Sequence, residues 1–482
     1  MKKVKHFHAP APEVNSLSEA NALIQQLWEK LREYEDRLAA SSRNSSRSPS
    51  SDSPAAKAER KKLQRLTGRN SPGAQPGHSG HRRPITELAA SDERIVCLPD
   101  AQCACCGGVV APYPAASYRH QVFELPQPRL ELTEYALHHG RCERCHQVSK
   151  GQLPTDAPQG QLGPRLLSYI AVLAGQFHLS VRKIQQLLKS QYGVHFSLGL
   201  ISEAHGRVSA MLTPTHQALH LCIKQALHVH IDETPHQRNG ESHTRWVWLL
   251  SGSDVVYQTI RYFRDQDSAR ALLGKNASAI VITDQCASYH WLDPERHQFC
   301  WSHIMRNVQQ MADYVGQGHT AWVGSRLVLL CQAVFRTQHR YEAGKLDETR
   351  WRSRMMRVKA RFHRYLVRGS QSPVSRYAGR CQYLLKYETG LWVFLLHPDT
   401  PLTNNEAERC LRGTVIMRKI SYGTQSDRGE KFRSRILSVV ETCKKRGLSA
   451  FQVVSDIVSA VLAKPPYPDV FSLTKESSIP LW

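Results

Sequence analysis

Three carboxylates in this sequence stand where a divalent cation can be held. Asp232 sits near the end of the run Ala226-Leu-His-Val-His-Ile-Asp-Glu. Asp284 closes Ala279-Ile-Val-Ile-Thr-Asp, and Glu408 lies in Asn404-Asn-Glu-Ala-Glu-Arg. In the first run Leu227, Val229 and Ile231 alternate with His228, His230 and Asp232, which predicts a strand with a carboxylate at its exit. Carboxylates held close repel one another, and a divalent cation relieves that repulsion; Mg²⁺ favours such oxygens and keeps several waters. Two ions about 3.5–4 Å apart activate a water or a 3′-hydroxyl and stabilise the leaving oxygen of a phosphodiester. An aspartate at a strand end is commonly only a turn former, so the chemistry rests on the three acids together.

The third acid has two near candidates. Thr403 and Glu406 have the spacing of a capping box, in which the hydroxyl caps the helix and the glutamate folds back. Glu408 lies two residues on, roughly 200° around the helix, so both acids cannot face one site. With Glu406 in the cap, Glu408 is left for metal. Arg412 follows one turn later on the Glu408 face and Arg409 is adjacent; either can meet a phosphate. Glu441, on a later helix, is the fallback.

The elements that must position these acids are legible as an α/β order. After Asp232 come two further strands, Trp246-Val-Trp-Leu-Leu and Val255-Val-Tyr-Gln-Thr-Ile, then a short helix around Ser268 to Leu273, then the Asp284 strand. Three antiparallel strands, a helix and a fourth strand begin an RNase-H-like fold, in which the first and fourth strands are neighbours and bring Asp232 beside Asp284. A stretch from about residue 320 to 396, rich in Arg, Tyr and Leu at helical spacing, reads as a helical insertion into this core. Its Arg350, Arg352, Arg354, Arg357, Lys359 and Arg361 either line a DNA channel or form a charged outer face. Past Glu408, Arg418-Lys-Ile-Ser-Tyr-Gly reads as a turn or short strand, with Arg418 and Lys419 as further candidates for DNA contact. Ser449 to Leu462 predicts a last amphipathic helix.

Before the core, Gly163 to Met211 reads as helices. Ser180 caps one, Gly193 breaks it and Ser197 starts the next. That outline fits a DNA-reading helix-turn-helix or an ordinary helical hairpin. Further upstream, Cys103-Ala-Cys-Cys106 and Cys142-Glu-Arg-Cys145 make two Cys-x-x-Cys knuckles, expected to hold a structural Zn²⁺ through Cys103, Cys106, Cys142 and Cys145. Cys105 is a spare. Alternating residues between the knuckles predict strands linking them. At the start of the chain, Leu17, Ala20, Ile24, Leu27, Leu31, Tyr34 and Leu38 step by three and four, a coiled-coil seam over about three heptads. It serves self-association or packs on its own protein. A Ser/Arg-rich stretch follows, with too little apolar content to fold. Lys61, Lys62, Arg65, Arg82 and Arg83 then lie in a basic, glycine-containing arm suited to lying along DNA.

The totals agree with a nucleic-acid partner. The 482 residues carry 64 Lys and Arg against 41 Asp and Glu, a net charge of +23, a surplus that folding does not require. No stretch is long and apolar enough to span a bilayer and no signal core follows the basic N-terminus, so a cytoplasmic protein is expected and a membrane partner is not. In that compartment the 13 cysteines read as thiols and metal ligands rather than a disulfide framework. The expected organisation is a coiled-coil helix over 1–40, a disordered basic arm over 41–90, a zinc ribbon over 91–155 and a helical, DNA-binding segment over 160–222. A catalytic domain over 223–446 and a C-terminal helix and tail over 447–482 complete it.

At these residues the chain resembles the insertion-sequence-66 family of bacterial DDE transposases over nearly its full length. The matching pieces occur in order: the coiled helix, Ser42-Arg-Asn-Ser-Ser-Arg-Ser-Pro-Ser-Ser-Asp, Gly73-Ala-Gln-Pro-Gly-His-Ser-Gly-His and the paired knuckles, then Asp232-Glu-Thr-Pro, Asp284 with Tyr289, Cys300-Trp-Ser-His303, and Asn404-Asn-x-Ala-Glu-Arg. Each piece alone is weak; the ordered set is specific. The resemblance implies Asp232, Asp284 and Glu408 as the triad, two Mg²⁺ (or Mn²⁺) ions, cutting at transposon ends, and joining of 3′-hydroxyl ends to target DNA without a covalent protein–DNA intermediate. It also implies accessory transposition proteins, and cutting two ends implies at least a dimer. Cys300 and His303 match a Cys-x-x-His element of related enzymes and are expected to support the site. One departure is that family members often carry glycine and tyrosine soon after the second aspartate, where this chain has Gln285-Cys-Ala. An inactive DNA-binding relative and a structure-selective nuclease on the same core are the competing readings.

Overall fold

The computed structural model describes residues 13–45, 52–66, 77–80, 84–89, 93–155, 157–158, 160–274, 278–463 and 466–469. Contacts divide the chain into two units, residues 54–131 and the remainder, so the two cysteine knuckles belong to different units and each is described by itself.

The smaller unit begins with α1's successor in the chain order, and the larger unit supplies α1 itself, Leu17–Leu38, capped by Ser16. The heptad seam of α1 is not packed on the chain: Leu17, Ile24, Leu27, Leu31, Tyr34 and Leu38 are all exposed. The helix is anchored instead by Asp36, 6% exposed, which accepts from the Tyr377 hydroxyl at 2.6 Å and from Arg376 Nη2. In the smaller unit α2, Pro54–Leu66, falls inside the stretch expected to lack structure. Ala55, Ala56 and Ala58 among Lys, Glu and Arg give it strong local helix propensity, with proline at the start where its missing N–H costs nothing. Of the basic arm, Lys61 and Lys62 are exposed on this helix. Arg65 lies on it with its side chain outside the description, and Arg82 and Arg83 lie outside the described residues.

The strands expected between the knuckles do not form. Residues 111–138 carry no regular element, and Val122, Phe123, Leu125 and Leu132 are exposed. Alternation alone did not suffice: the apolar side chains of Val122, Leu125 and Leu132 stay exposed instead of joining a core that would hold the strands. Short strands β1, His139–Arg141, and β2, Val148–Lys150, instead pair as a hairpin around the second knuckle.

The rest of the large unit is built on one sheet. Helices α3 (Pro164–Gly175), α4 (Val181–Tyr192), α5 (Leu198–Met211) and α6 (Thr213–Gln225) lead into β3 (His228–Gln237), β4 (Thr244–Ser251) and β5 (Val256–Arg261). Ser180 and Ser197 cap α4 and α5, and Gly193 closes α4 in the left-handed conformation, as their positions predict. After α7 (Gln266–Leu273) come β6 (Ile280–Thr283) and β7 (His297–Phe299). The sheet order is β5-β4-β3-β6-β7, with β3, β4 and β5 antiparallel and β3, β6 and β7 parallel. This mixed sheet, helices on both faces, is consistent with a DDE/RNase H-like core.

The chain then leaves the sheet through α8 (Trp301–Ala312), α9 (Gly318–Glu342), α10 (Glu348–Gly369), α11 (Ser375–Lys386) and α12 (Val393–Leu396). These form a hydrophobic core of their own, including Trp301, Val323, Trp351, Phe362 and Tyr377. Gly324 lets α9 lie directly on α8, since a Cβ there would come 2.3 Å from Ala312 N. Departure and return are bonded together: Trp301 N donates to Leu402 O at 2.9 Å and Asn404 N to Cys300 Sγ at 3.1 Å. Finally α13 (Asn405–Ser421), α14 (Asp427–Arg446) and α15 (Ala450–Ala463) complete the fold. The turn or strand expected at Arg418 is absent, because α13 runs on to Ser421 and stops at Tyr422 in the left-handed conformation. One face of the sheet packs on α13 through Val247, Leu249, Ala407 and Leu411. The other belongs to the main core with α3, α5, α6, α14 and α15. The edge strand β5 is sealed by α14, whose Ser438 and Thr442 hydroxyls accept from Gln258 N at 2.8 Å and Val256 N at 3.0 Å.

Candidate active site

The site forms where β6 stops. The strand β3 does not end at Asp232 but continues to Gln237, paired there only with β4. Pro235 is tolerated because the other side of β3 has no strand partner. The parallel register pairs His228 with Ile280 and His230 with Ile282; carried two residues further, it sets Asp232 beside Asp284. Alternation then separates neighbouring acids. Asp232 pairs with Leu249, on the face covered by α13, whereas Glu233 pairs with Trp248, on the main-core face.

Asn404 brings the third acid. It is fully buried, its Nδ2 donates to Ile231 O at 2.8 Å, and its Oδ1 faces His230 Nδ1 at 3.2 Å. Its own carbonyl accepts from Glu408 N at 3.2 Å. The start of α13 is thereby tied to β3 one residue before Asp232. The expected capping box is not made: Asn404 is the capping residue, without a side-chain cap bond. Glu406 turns away to Lys445 at 2.8 Å and to Arg409, and the Lys445 and Arg409 cations outweigh its partial burial to hold its carboxyl down to about 2. Glu408 is the acid on the Asp232 side. Glu441 is buried on α14 against Lys444 and is not among the charges acting on Asp232.

The carboxylates sense one another. Burial first, then Glu233, Asp284 and Glu408, push the Asp232 carboxyl well above the usual carboxylate range, against a bond from Glu233 N. Among the described residues no group of three or more His, Cys, Asp or Glu is drawn close enough to close on one metal ion. Each of the outer acids is held by a cation. Glu408 Oε1 lies 3.2 Å from Arg306 Nη2 and 3.6 Å from His303 Nε2. Asp284 lies 3.8 Å from Arg264 Nη2 and its Oδ1 accepts from Cys286 N at 2.8 Å. Arg264 is fixed by its ion pair with Glu233 and by stacking over Trp246 at 4.9 Å, and Tyr289 donates to Glu233 from below.

Sequence reasoning missed Arg264, Arg306 and the clasping role of Asn404. No spacing rule marks a lone arginine that reaches across the fold, whereas the paired asparagines ahead of α13 were visible as a motif. Gln285 is bonded to Asn307 at 2.5 Å and through its carbonyl to Tyr383 at 3.3 Å, so the loop after Asp284 is tied to the insertion. Cys300 is fully buried and His303 abuts Glu408. Of the basic candidates on α13, Arg409 is taken by Glu406 and Arg418 donates to Thr234 Oγ1 at 2.9 Å and to Pro235 O, while Arg412 and Lys419 are exposed.

Each cysteine knuckle is a preformed turn. Gly107 N donates to Cys103 O and Cys103 N to Gly108 O, both at 2.8 Å. His146 N donates to Cys142 O at 2.9 Å and Cys142 N to Gln147 O at 2.8 Å. Gly107 and His146 both adopt positive φ, at 70° and 59°. Backbone N–H groups aimed at Cys103 and Cys142 lower both thiols below their usual range.

A mixed sheet of this order, with Asp232 and Asp284 on neighbouring parallel strands, is consistent with the class of proteins that have a DDE/RNase H-like core. Comparison with known proteins narrows the class: the Transposase IS66 family matches residues 159–431, and the chain belongs to that family. Residues 9–84 match a family of unknown function. Three uncharacterized proteins of Sinorhizobium fredii are similar. One, y4hP, is 23% identical over 422 residues, covering 80% of this chain and 75% of its own. Another, y4qI, is 22% identical and covers 68% and 63%. The third, y4jO, is 45% identical over 62 residues, 13% of this chain and 19% of its own. Family membership implies the function of a DNA transposase. No helix among the described residues is long and apolar enough to cross a membrane.

Proposed function

We propose that this chain binds the ends of an insertion sequence, cuts phosphodiester bonds there and joins the 3′-hydroxyl ends to target DNA, using Asp232, Asp284 and Glu408. The observation that supports the reading is the meeting of β3, β6 and the Asn404-clasped start of α13, where the charges of Asp284 and Glu408 both act on Asp232.

The donor set suits Mg²⁺ or Mn²⁺, two ions in the proposed chemistry. It is all carboxylate oxygen, and after burial it is the negative charges of Glu233, Asp284 and Glu408 that push Asp232 up, a repulsion a divalent cation would relieve by drawing the acids together. Bound there, such ions supply activation of the attacking oxygen and stabilisation of the leaving one. The chain's own residues do the remainder. Arg264, held by Glu233, steadies Asp284; Arg306 and His303 orient Glu408; Arg412, exposed one turn along α13, is placed to meet the phosphate. Each cysteine knuckle, its first thiol lowered towards the thiolate a metal takes, supports a role in ligating structural Zn²⁺, one through Cys103 and Cys106 and the other through Cys142 and Cys145. The exposed seam of α1 supports pairing with a second copy, as cutting two ends requires.

The test is incubation of the purified protein with transposon-end DNA, a target plasmid and Mg²⁺. Joined products are expected from the natural chain and none from Asp232→Asn, which should still bind DNA. Cuts without joined products would make it a nuclease, and binding without either would make it an inactive relative.

A further inference from the structure

The insertion carries a cationic feature that the catalytic site does not use. On α10, Arg350, Arg354, Arg357, Arg361, Arg364 and Arg368 follow one another at steps of four, three, four, three and four. At about 100° per residue these fall on a single stripe, beside the buried stripe of Trp351, Met355, Phe362 and Leu366. Five of the six are exposed and Arg354 is half-buried. Like charges three and four apart destabilise a helix, so this register works against the fold that carries it. A merely solubilising face would mix signs, yet the helix holds one carboxylate, Glu348, which pairs with Arg352 off the stripe.

Among the described residues little offsets the stripe: of its six arginines Arg350 alone meets a carboxylate, Asp347 at 3.3 Å. Arg357 reaches the Ser353 carbonyl at 3.4 Å, and Arg368 lies 5.7 Å above the rings of Trp322 and Tyr365. Among the described residues Arg354, Arg361 and Arg364 have no ion pair. At the Arg368 end Trp322 is 40% exposed and also has Arg326 at 5.7 Å from its ring.

We propose that this arginine ridge tracks the phosphates of a DNA duplex lying along the insertion, apart from the strand being cut. The ridge spans about 27 Å, the length of about eight base pairs at 3.4 Å each. Arginine suits the role, because its planar fork meets phosphate in a bidentate manner and it is less strongly hydrated than lysine. The contact is with the backbone, so it holds any sequence. Naming DNA as the polyanion rests on the transposase reading; the existence of a polyanion site does not.

The test uses the full-length protein and a 30-base-pair duplex of arbitrary sequence, with binding followed by fluorescence anisotropy across a salt series. The variant Arg357→Gln/Arg361→Gln/Arg364→Gln is compared with a charge-matched control, Lys150→Gln/Lys224→Gln/Lys431→Gln. The ridge variant is expected to flatten the slope of log K against log salt by about 2 to 3, to bind at least about tenfold more weakly near 0.1 M salt, and to melt no lower than the natural chain. Arg→Lys at the same three positions should restore most of the slope. An unchanged slope, an equal loss in the scattered-lysine control, or a loss confined to single-stranded DNA or to an RNA duplex would overturn the proposal. Asp232→Asn keeps the two readings apart. It should abolish joined products while leaving the slope intact. A dead Asp232→Asn with an unaffected ridge variant sinks the ridge alone; an active Asp232→Asn sinks the transposase chemistry whatever the ridge does.

Discussion

Two glutamates two residues apart, Glu406 and Glu408, have different fates because of what each meets. Glu406 is spent on Lys445 and Arg409; Glu408 faces Arg306 and the strand end. Glu408→Gln should therefore reduce strand joining by more than the roughly 10–100-fold expected when a supporting group is lost. Glu406→Gln should leave it within a few-fold, and product yields on end DNA compare them directly. The sequence points to Glu408 through a capping box that the structure does not form, because Asn404 takes the capping position and Glu406 turns to Lys445 and Arg409. The clasp by Asn404 is the more telling side chain. Asn404→Ala leaves Ile231 O without its donor in a dry site, at a cost of about 1–3 kcal/mol. It should also loosen the start of α13, so thermal melting and joining activity should fall together. Falling melting with untouched activity would remove Asn404 from the site's support.

At the level of elements, what could be read in advance were the local signals: serine caps, the Gly193 stop, the strand–helix–strand order and the parallel pairing of the two aspartate strands. What could not be read were outcomes decided by partners. The helix-turn-helix outline was correct in shape, but the second helix, α5, spends Ile201, Ala204 and Val208 on the main core, and its His205 stacks on Phe432. Only α4 presents basic residues, Arg182, Lys183 and Lys189, outward. The sealing of β5 by hydroxyls of α14 was equally invisible, since no pattern marks a serine or threonine that serves as a missing strand. It is testable. Thr442→Val keeps the shape but strands Val256 N, and should cost about 1–3 kcal/mol, lowering the melting temperature and promoting association through the opened edge. Unchanged melting and a monodisperse scattering profile would show that the hydroxyl is dispensable.

For the molecule as a whole, buried histidines set the response to acid. Burial, the largest cause in each case, holds His205, His216 and His230 down to about 4 and His236 and His297 to about 3. They stay neutral in the fold but take a proton in the unfolded chain below about 6.5. The unfolded state therefore binds more protons, and stability falls as pH drops from about 6.5 towards 4, at about 1.4 kcal/mol per pH unit for each histidine. Asp232, Glu233 and Glu441, raised by burial, act in the opposite sense but are fewer. A melting temperature that declines between pH 7 and pH 5 is expected, and a flat or rising profile would show that the acids dominate.

The bonds joining Cys300 to Asn404 and Trp301 to Leu402 bear on how such a molecule can change. The acid at 408 is indexed to the end of β7 and, through Arg306 and His303, to α8 at the start of the detour. Beyond α8 the detour behaves as a cassette on a closed latch: its later helices can be shortened, enlarged or exchanged without shifting the glutamate along the sheet, provided the Tyr383 bond to the loop after Asp284 is kept. New ways of gripping a substrate can thus be tried out while the cutting chemistry stays in place.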